Sequence, residues 1–476
     1  MRVLLIAVNS RYIHSSPVLS ALRRAAEEAG CRSGMAAAAD EVTLATLETT
    51  ISRPQSELLE EICCLQPEVV AFSTYIWNIS WLKPLLYDLR LLLPEALLLL
   101  GGPEATARSQ DYLAELPVDG ICLGEGEGPF AALLRTLSGL AQLRAHRLSP
   151  HDAALRALDG WLWRDHARDY SPAQLPDLAA LPFLYSDQEL AELGREKRVI
   201  YYESSRGCPF RCSFCASAKT PLRERPLRLV LAELPRLAAT ATQIKFVDRT
   251  FNADPARAVA ITERVLALYR PGLSWHFEIS PFALPAELVT LWQQAPRNYL
   301  RLEMGVQTLH AQSLAAVGRR GDWLAAEPTV RSLIAAGRVH LHLDLIAGLP
   351  LDTPAQFAAS FHRLHQLNAH YLQLGFLKVL PDSLLSTDAA NYGLVYSSQP
   401  PYQVLATPQM PAEYLFALHR TEHIFNALYN KAAFRSELLA KAERYPGGAL
   451  AMYARAAALA AAAPARLDKS ELVAAL

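Results

Sequence analysis

Through the first 130 residues, short apolar runs alternate with longer stretches of helical period. The runs at 3–8, 69–73, 97–100 and 120–123 are almost continuously apolar, as expected of parallel strands covered on both faces. Between the first two, Ser16 as N-cap, Pro17 at the first helical position and Gly30 beyond the end bound one helix. This order predicts an α/β, doubly wound parallel-sheet domain over 1–139. Over 140–198 no period is sustained, and Pro150, Pro172, Pro176 and Pro182 stand among polar residues, which predicts a linker. Alternation returns at 199. Six strand patterns follow, at 200–203, 243–248, 274–280, 299–306, 340–346 and 372–380, separated by helical patterns, and predict a partial β/α barrel over 199–381. After Pro381 no strand pattern is convincing; 413–430 reads as helix, 449–463 is almost all alanine and leucine, and 382–476 is expected to be a helical domain.

Composition narrows the class. In 476 residues, 51% are hydrophobic and 20% charged, too apolar and too weakly charged for a mainly disordered chain. Lys and Arg total 46 against 47 Asp and Glu, a net charge of −1, so no overall field favours nucleic acid as a partner. The opening apolar run is ended at once by Asn9-Ser10-Arg11 and reads as a strand rather than a signal peptide. The run at 91–100 is broken by Pro94-Glu95 and stopped by Gly101-Gly102, short of a bilayer span, so no membrane segment is expected. Seven cysteines, three of them within eight positions, do not look like a disulfide framework and imply a reducing compartment, the cytoplasm. Cys31, Cys63, Cys64 and Cys122 lie in apolar contexts and read as small buried hydrophobes.

The densest chemical signal is Gly207-Cys208-Pro209-Phe210-Arg211-Cys212-Ser213-Phe214-Cys215, just after the first barrel strand. Three thiols at CxxxCxxC spacing can meet at one metal centre as ligands and leave a corner open. A structural zinc site wants a fourth protein ligand, so an iron–sulfur cluster with one cysteine-free iron fits the spacing better, with a zinc-binding module of no catalytic role as the alternative. In the first domain, ligands of such sheets sit beyond the carboxyl ends of the strands. That directs attention to 9–14, including Tyr12, to Ser73-Thr74, to Gly101-Gly102 and to the Gly124-Glu125-Gly126 turn, where glycines let backbone approach a phosphate or a planar ligand. No GxGxxG follows the first strand, which argues against an ordinary dinucleotide site.

With Phe214 before its last cysteine, the triad resembles that of the radical S-adenosylmethionine (SAM) enzymes. The resemblance implies a [4Fe–4S] cluster ligated by Cys208, Cys212 and Cys215, SAM chelating the open iron, and Phe214 beside the adenine. It implies further that Asp248, in Phe246-Val247-Asp248, faces the methionine amino group although the usual Gly-Gly-Glu form is absent. Glu278 and Gln307 would face the ribose, either Arg319 or Arg320 the methionine carboxylate, and Ile346 and Gly348 of the Asp344–Pro350 segment the adenine. The N-terminal domain then resembles a Rossmann-like cobalamin-binding domain, with Tyr12, Ser73, Thr74, Gly101, Gly102 and Glu125 as cofactor contacts. The DxHxxG loop that supplies a cobalt ligand in many cobalamin proteins is missing, so His14 is not expected to hold cobalt in that way. The likeness is greatest to an uncharacterised branch with a helical C-terminal domain. It implies an enzyme that makes a 5′-deoxyadenosyl radical, with C-methylation of an unactivated carbon as the favoured outcome and rearrangement or cyclisation, or a Rossmann domain without cobalamin, as alternatives. An external electron donor of flavodoxin or ferredoxin type is implied; the substrate is unknown, and no acid–base pair is assigned.

Overall fold

The computed structural model describes residues 1–34, 41–142, 149, 151–164, 173–431, 434–462 and 468–476. Pro150 and Pro172 lie outside them. The chain forms two compact units, Met1–Tyr202 with Ala239–Ala241, and Glu203–Ala238 with Thr242–Leu476.

In the first unit, strands β1 (Arg2–Asn9), β2 (Arg32–Ser33), β3 (Thr43–Thr50), β4 (Val69–Ser73), β5 (Leu97–Gly101), β6 (Gly120–Cys122) and β7 (Trp161–Trp163) form one sheet in the order β2-β3-β1-β4-β5-β6-β7. All pairs are parallel except β6–β7. Strands β1, β4 and β5 are apolar through most of their length because successive side chains enter different cores. Leu4, Ile6, Val8, Val70, Phe72, Leu98 and Leu100 pack on one face; Val3, Leu5, Ala7, Val69, Ala71, Leu97 and Leu99 pack on the other. The helix Pro17–Glu28 starts where expected, with Pro17 in its first turn and Gly30 beyond it at φ +83°. Its Ser16 side chain makes no capping bond.

Three features depart from the sequence reading. β3 is an interior strand made of Thr-Leu-Ala-Thr-Leu-Glu-Thr-Thr. β7 and the capped helix Asp187–Arg195 stand in the stretch read as a linker. A short antiparallel pair, β16 (Val395–Tyr396) with β17 (Val404–Ala406), occurs where only helix was expected.

Strand β8 (Ile200–Tyr202) ends the first unit. The second unit opens with the antiparallel pair β9 (Ser205–Arg206) and β10 (Arg223–Glu224), which flanks the cysteine loop. Strands β11 (Gln243–Phe246), β12 (Ser274–Ile279), β13 (Leu300–Gln307), β14 (His340–Ala347) and β15 (Tyr371–Phe376) then lie side by side, each parallel to the next. Here the pattern is one of strict alternation. Leu300, Leu302, Met304 and Val306 of β13 are fully buried, whereas Arg301, Glu303, Gly305 and Gln307 between them are only half-buried. One face is core, and the other carries polar side chains toward the concave side. On the far edge, Asn430 takes both backbone groups of Leu372, its Oδ1 accepting from the Leu372 N–H at 3.1 Å and its Nδ2 donating to the carbonyl at 2.9 Å. The edge of the outer strand is thereby occupied at Leu372. The C-terminal helices Ala412–Phe425 and Gly448–Ala462 pack together, and the latter also packs on Pro354–Gln366.

Candidate functional site

The cysteine loop is fixed by backbone. Gly207 has φ +89°, and a Cβ there would lie 2.2 Å from the Pro221 carbonyl oxygen, so no side chain fits. The Cys208 N–H donates to Thr220 at 3.2 Å, the Ser213 N–H to Val317 at 2.8 Å, and the Leu385 N–H to the Ser213 carbonyl at 2.8 Å. Gly318, at φ +65°, comes so close that a Cβ would lie 2.9 Å from the Arg211 carbonyl oxygen. Held this way, Cys208, Cys212 and Cys215 line one cavity of about 250 Å³. None is in a disulfide. The Cys208 sulfur lies 3.5 Å from the Thr250 hydroxyl. Cys212 is the most buried of the three, and burial pushes its thiol up while Arg319 pulls it down.

Phe214, Glu278, Gln307, Arg319 and Arg320 line the same cavity. A bulge between Gly305 and Gln307 shifts the β13–β14 register and leaves Gln307 at φ +74°, which re-aims its side chain at the strand end. A Cβ on Gly305 would meet the Gln307 Nε2 at 2.4 Å and the Arg319 Nη2 at 3.3 Å, so this glycine makes room for both. Gln307 Oε1 and Arg319 Nε are buried without hydrogen-bond partners. Three thiols, an aromatic ring and buried polar groups with unused capacity are a donor set that fits an iron–sulfur cluster with one further polar ligand.

Asp248 is different. It is turned into the protein, 2% exposed, accepting from the Ser204 N–H at 2.8 Å, the Ser204 hydroxyl at 2.5 Å and the Ser205 hydroxyl at 2.9 Å. Burial pushes its carboxyl up to about 6 against those donors. It lies outside the cavity lining; from that segment Arg249 and Thr250 reach it. Asp248 therefore ties the strand entering the cysteine loop to the end of β11. Ile346 and Gly348 also fall outside the lining, and a Cβ on Gly348 would touch Val404 at 3.5 Å.

The polar face of the barrel carries a network that spacing alone did not single out. Lys245 bridges Glu278 at 2.9 Å and Glu303 at 3.3 Å, His276 meets Glu303 at 2.9 Å, and His342 meets Asp344 at 2.9 Å. Burial alone would raise Glu303, yet His276 and Lys245 hold it down at about 2. Glu303, His342 and Asp344 offer ligand atoms within 4.8 Å of one another. The Lys245 ammonium already supplies the positive charge beside them. The available signal was polar residues at alternate positions of otherwise apolar strands.

In the first unit the strand-end residues split into two kinds. The Thr74 hydroxyl donates to the Gly101 carbonyl at 2.8 Å and accepts from the Ala105 N–H at 3.0 Å, joining the ends of β4 and β5. Gly102 has φ +99°, and a Cβ there would sit 2.6 Å from the Thr74 carbonyl oxygen, so the turn admits only glycine. The Ser73 hydroxyl, by contrast, is buried without a partner. Glu125 is half-buried, and Tyr12 is 62% exposed with the Arg198 guanidinium 5.4 Å from its ring centre. His14 is engaged through Nδ1 with the Tyr201 hydroxyl at 2.6 Å. Asn78, absent from the sequence reading, donates to the Val8 and Ser73 carbonyls at 3.0 Å each and so fixes the ends of β1 and β4. A side-chain-free turn beside an orphan hydroxyl at the carboxyl end of a parallel sheet fits a large planar cofactor with polar substituents.

Comparison with known proteins follows the same division. Residues 3–134 match the B12 binding domain family, residues 202–364 the Radical SAM superfamily, and residues 390–458 a protein family of unknown function, DUF4080. The cobalamin-dependent radical SAM methyltransferase TokK of Streptomyces tokunonensis is 26% identical over 363 residues, 72% of this chain and 51% of that protein. Of the solved structures, TsrM from Kitasatospora setae, a radical SAM methyltransferase with cobalamin and a [4Fe–4S] cluster bound, aligns over 84% of this chain and 81% of its own with TM-score 0.64 and 17% identity. The cobalamin-dependent SAM radical enzyme OxsB aligns over 100% and 74% with TM-score 0.67 and 13% identity. The chain spans about half the length of the curated relative TokK (51%). No helix among the described residues is long and apolar enough to cross a membrane. The first two of these matches fall on the two strand-end sites built above, and the chain carries a B12-binding domain followed by a radical SAM domain.

Proposed function

We propose that the protein is a cobalamin-dependent radical SAM methyltransferase acting on an unactivated carbon. The observation that carries this reading is the convergence of Cys208, Cys212 and Cys215 with Phe214, Gln307 and a pair of arginines on one cavity, in a chain whose other unit matches the B12 binding domain family. Cys208, Cys212 and Cys215 would hold a [4Fe–4S] cluster, and the turns around Ser73, Gly101, Gly102 and Glu125 with Tyr12 would hold the corrinoid. When bound, these groups supply one-electron cleavage of a sulfonium bond and a transferable methyl group. The chain's own residues bind and orient. Phe214 offers a flat apolar wall, Glu278 and Gln307 offer hydroxyl-binding groups, and Phe210 and Phe282 add apolar surface to the lining. Seven unpaired cysteines suit a reducing cytoplasm, and a low-potential flavodoxin or ferredoxin suits the electron demand.

Anaerobic reconstitution with iron, sulfide and hydroxocobalamin tests this. About four irons and one corrinoid per chain are expected. With SAM and a low-potential reductant, 5′-deoxyadenosine and S-adenosylhomocysteine should both form. A chain that retains no corrinoid, or that never yields S-adenosylhomocysteine, is not this methyltransferase.

A further inference from the structure

Halfway along the polar face of the barrel, Glu303 and His342 stand opposite one another on β13 and β14, and Asp344 follows two positions after His342, on the same face. Their ligand atoms lie within 4.8 Å of one another. The alternate residues of both strands are buried in the core behind them, so the spacing is set by the sheet. Glu303 and Asp344 also line the cysteine cavity, which leaves the group open on that side.

Two contacts in this layer have the length of hydrogen bonds without their direction. His342 Nε2 and Asp344 Oδ1 are 2.9 Å apart, yet both atoms are buried without a hydrogen bond. His276 Nε2 lies 2.9 Å from Glu303 and is buried in the same condition. Neighbouring ligands of one ion approach each other in this way: bonds of about 2.1 Å at right angles put two ligand atoms about 3 Å apart. The charges agree. Among the described residues, Glu278, Glu303 and Asp344 share a single permanent cation in their ion pairs, Lys245. One ammonium against three carboxylates leaves two negative charges in a half-buried setting, where unpaired charge is costly. We propose that Glu303, His342 and Asp344 form a binding site for a divalent first-row cation, with His276 beside it and the remaining coordination positions facing the cavity. One imidazole and two carboxylates suit manganese, iron(II) or zinc, and water or another oxygen ligand completes the sphere. The site is separate from the cysteine triad and does not depend on the function proposed above.

Manganese is the probe, because it favours carboxylate and imidazole over thiolate and so leaves the cysteines aside. The full-length chain, anaerobically reconstituted, is titrated with Mn²⁺ while the EPR signal of the free ion is followed. One Mn²⁺ per chain is expected, with spin-echo modulation from an imidazole nitrogen. His342→Gln should lose that modulation, and His342→Gln and Asp344→Asn should each weaken binding about tenfold or more. Lys245→Met should strengthen binding by about tenfold, because it removes a like charge 3.3 Å from Glu303, and a misfolded chain would not show such a gain. Glu443→Gln, on an exposed helix position, should bind as the wild type does. A wild type that takes up no Mn²⁺ at about 1 mM overturns the site, as does unchanged binding in Asp344→Asn or unchanged or weaker binding in Lys245→Met. A chain that binds Mn²⁺ as described but holds no [4Fe–4S] cluster overturns the proposed function and leaves this site standing.

Discussion

At the scale of single residues, the cysteine site depends as much on what is missing as on its thiols. The three sulfurs share a cavity because Gly207 lets the chain pass against the Pro221 carbonyl, where a Cβ would intrude to 2.2 Å, in a left-handed conformation that other residues adopt at a cost. Gly207→Ala should therefore displace the loop without touching a cysteine. The expected outcome is iron incorporation falling from about four per chain to below about one, with the circular dichroism of the fold retained. Full iron loading in that variant would show that the loop has more freedom than its contacts imply. Asp248 teaches the complementary lesson. Its position at a strand end suggested an ammonium partner, but its carboxylate turns inward onto Ser204 and Ser205, and motif spacing does not reveal which way a side chain turns once the strand has ended.

At the scale of elements, what was legible followed from burial. β1, β4 and β5 announce themselves because both of their faces are core, and the barrel strands because one face is. β3 escaped because threonine fills half its positions, although β-branching suits a strand. β7 escaped because Trp161–Trp163 is only three residues long. The cysteine triad was readable as a motif, whereas the Lys245, His276, Glu303 and His342 network was not, since its members come from four different strands. The C-terminal helices bring a prediction of their own. His365 is fully buried with its Nε2 at the Tyr453 hydroxyl, 3.0 Å away, and its Nδ1 without a partner. Burial, with His362 and Arg435 nearby, pushes it down to about 3 from the ordinary 6.5. Between pH 6.5 and 3 the unfolded chain takes up a proton that the folded chain refuses, so stability falls as pH falls through that window and is unaffected above it. One such proton is worth about 1.4 kcal/mol per pH unit. His365→Phe should cost about 1 kcal/mol at pH 8, through the lost Tyr453 bond, and should flatten the acid limb by one proton. Denaturant midpoints measured from pH 8 to pH 5 give the comparison; parallel limbs for the two proteins would exclude His365 as the titrating group.

At the scale of the whole molecule, the two units hold their sites by separate means. The Gly101-Gly102 turn, Ser73 and Thr74 belong to a sheet with a core on each face, and the cysteine cavity is lined entirely by residues of the second unit. Each site is then built from residues of its own unit, and lesions in sites with no common partners should act independently. A reciprocal pair of variants follows. Cys212→Ala removes one thiol of the triad and should abolish 5′-deoxyadenosine formation while the chain still retains one corrinoid. Gly102→Ala forces a Cβ to 2.6 Å from the Thr74 oxygen and should release the corrinoid while iron content stays at the wild-type level. Absorption spectra and iron analysis of the two reconstituted variants provide the readout. If either substitution empties both sites, the stability of one depends on the other being filled, and the division of labour between the units has to be redrawn as a single coupled fold.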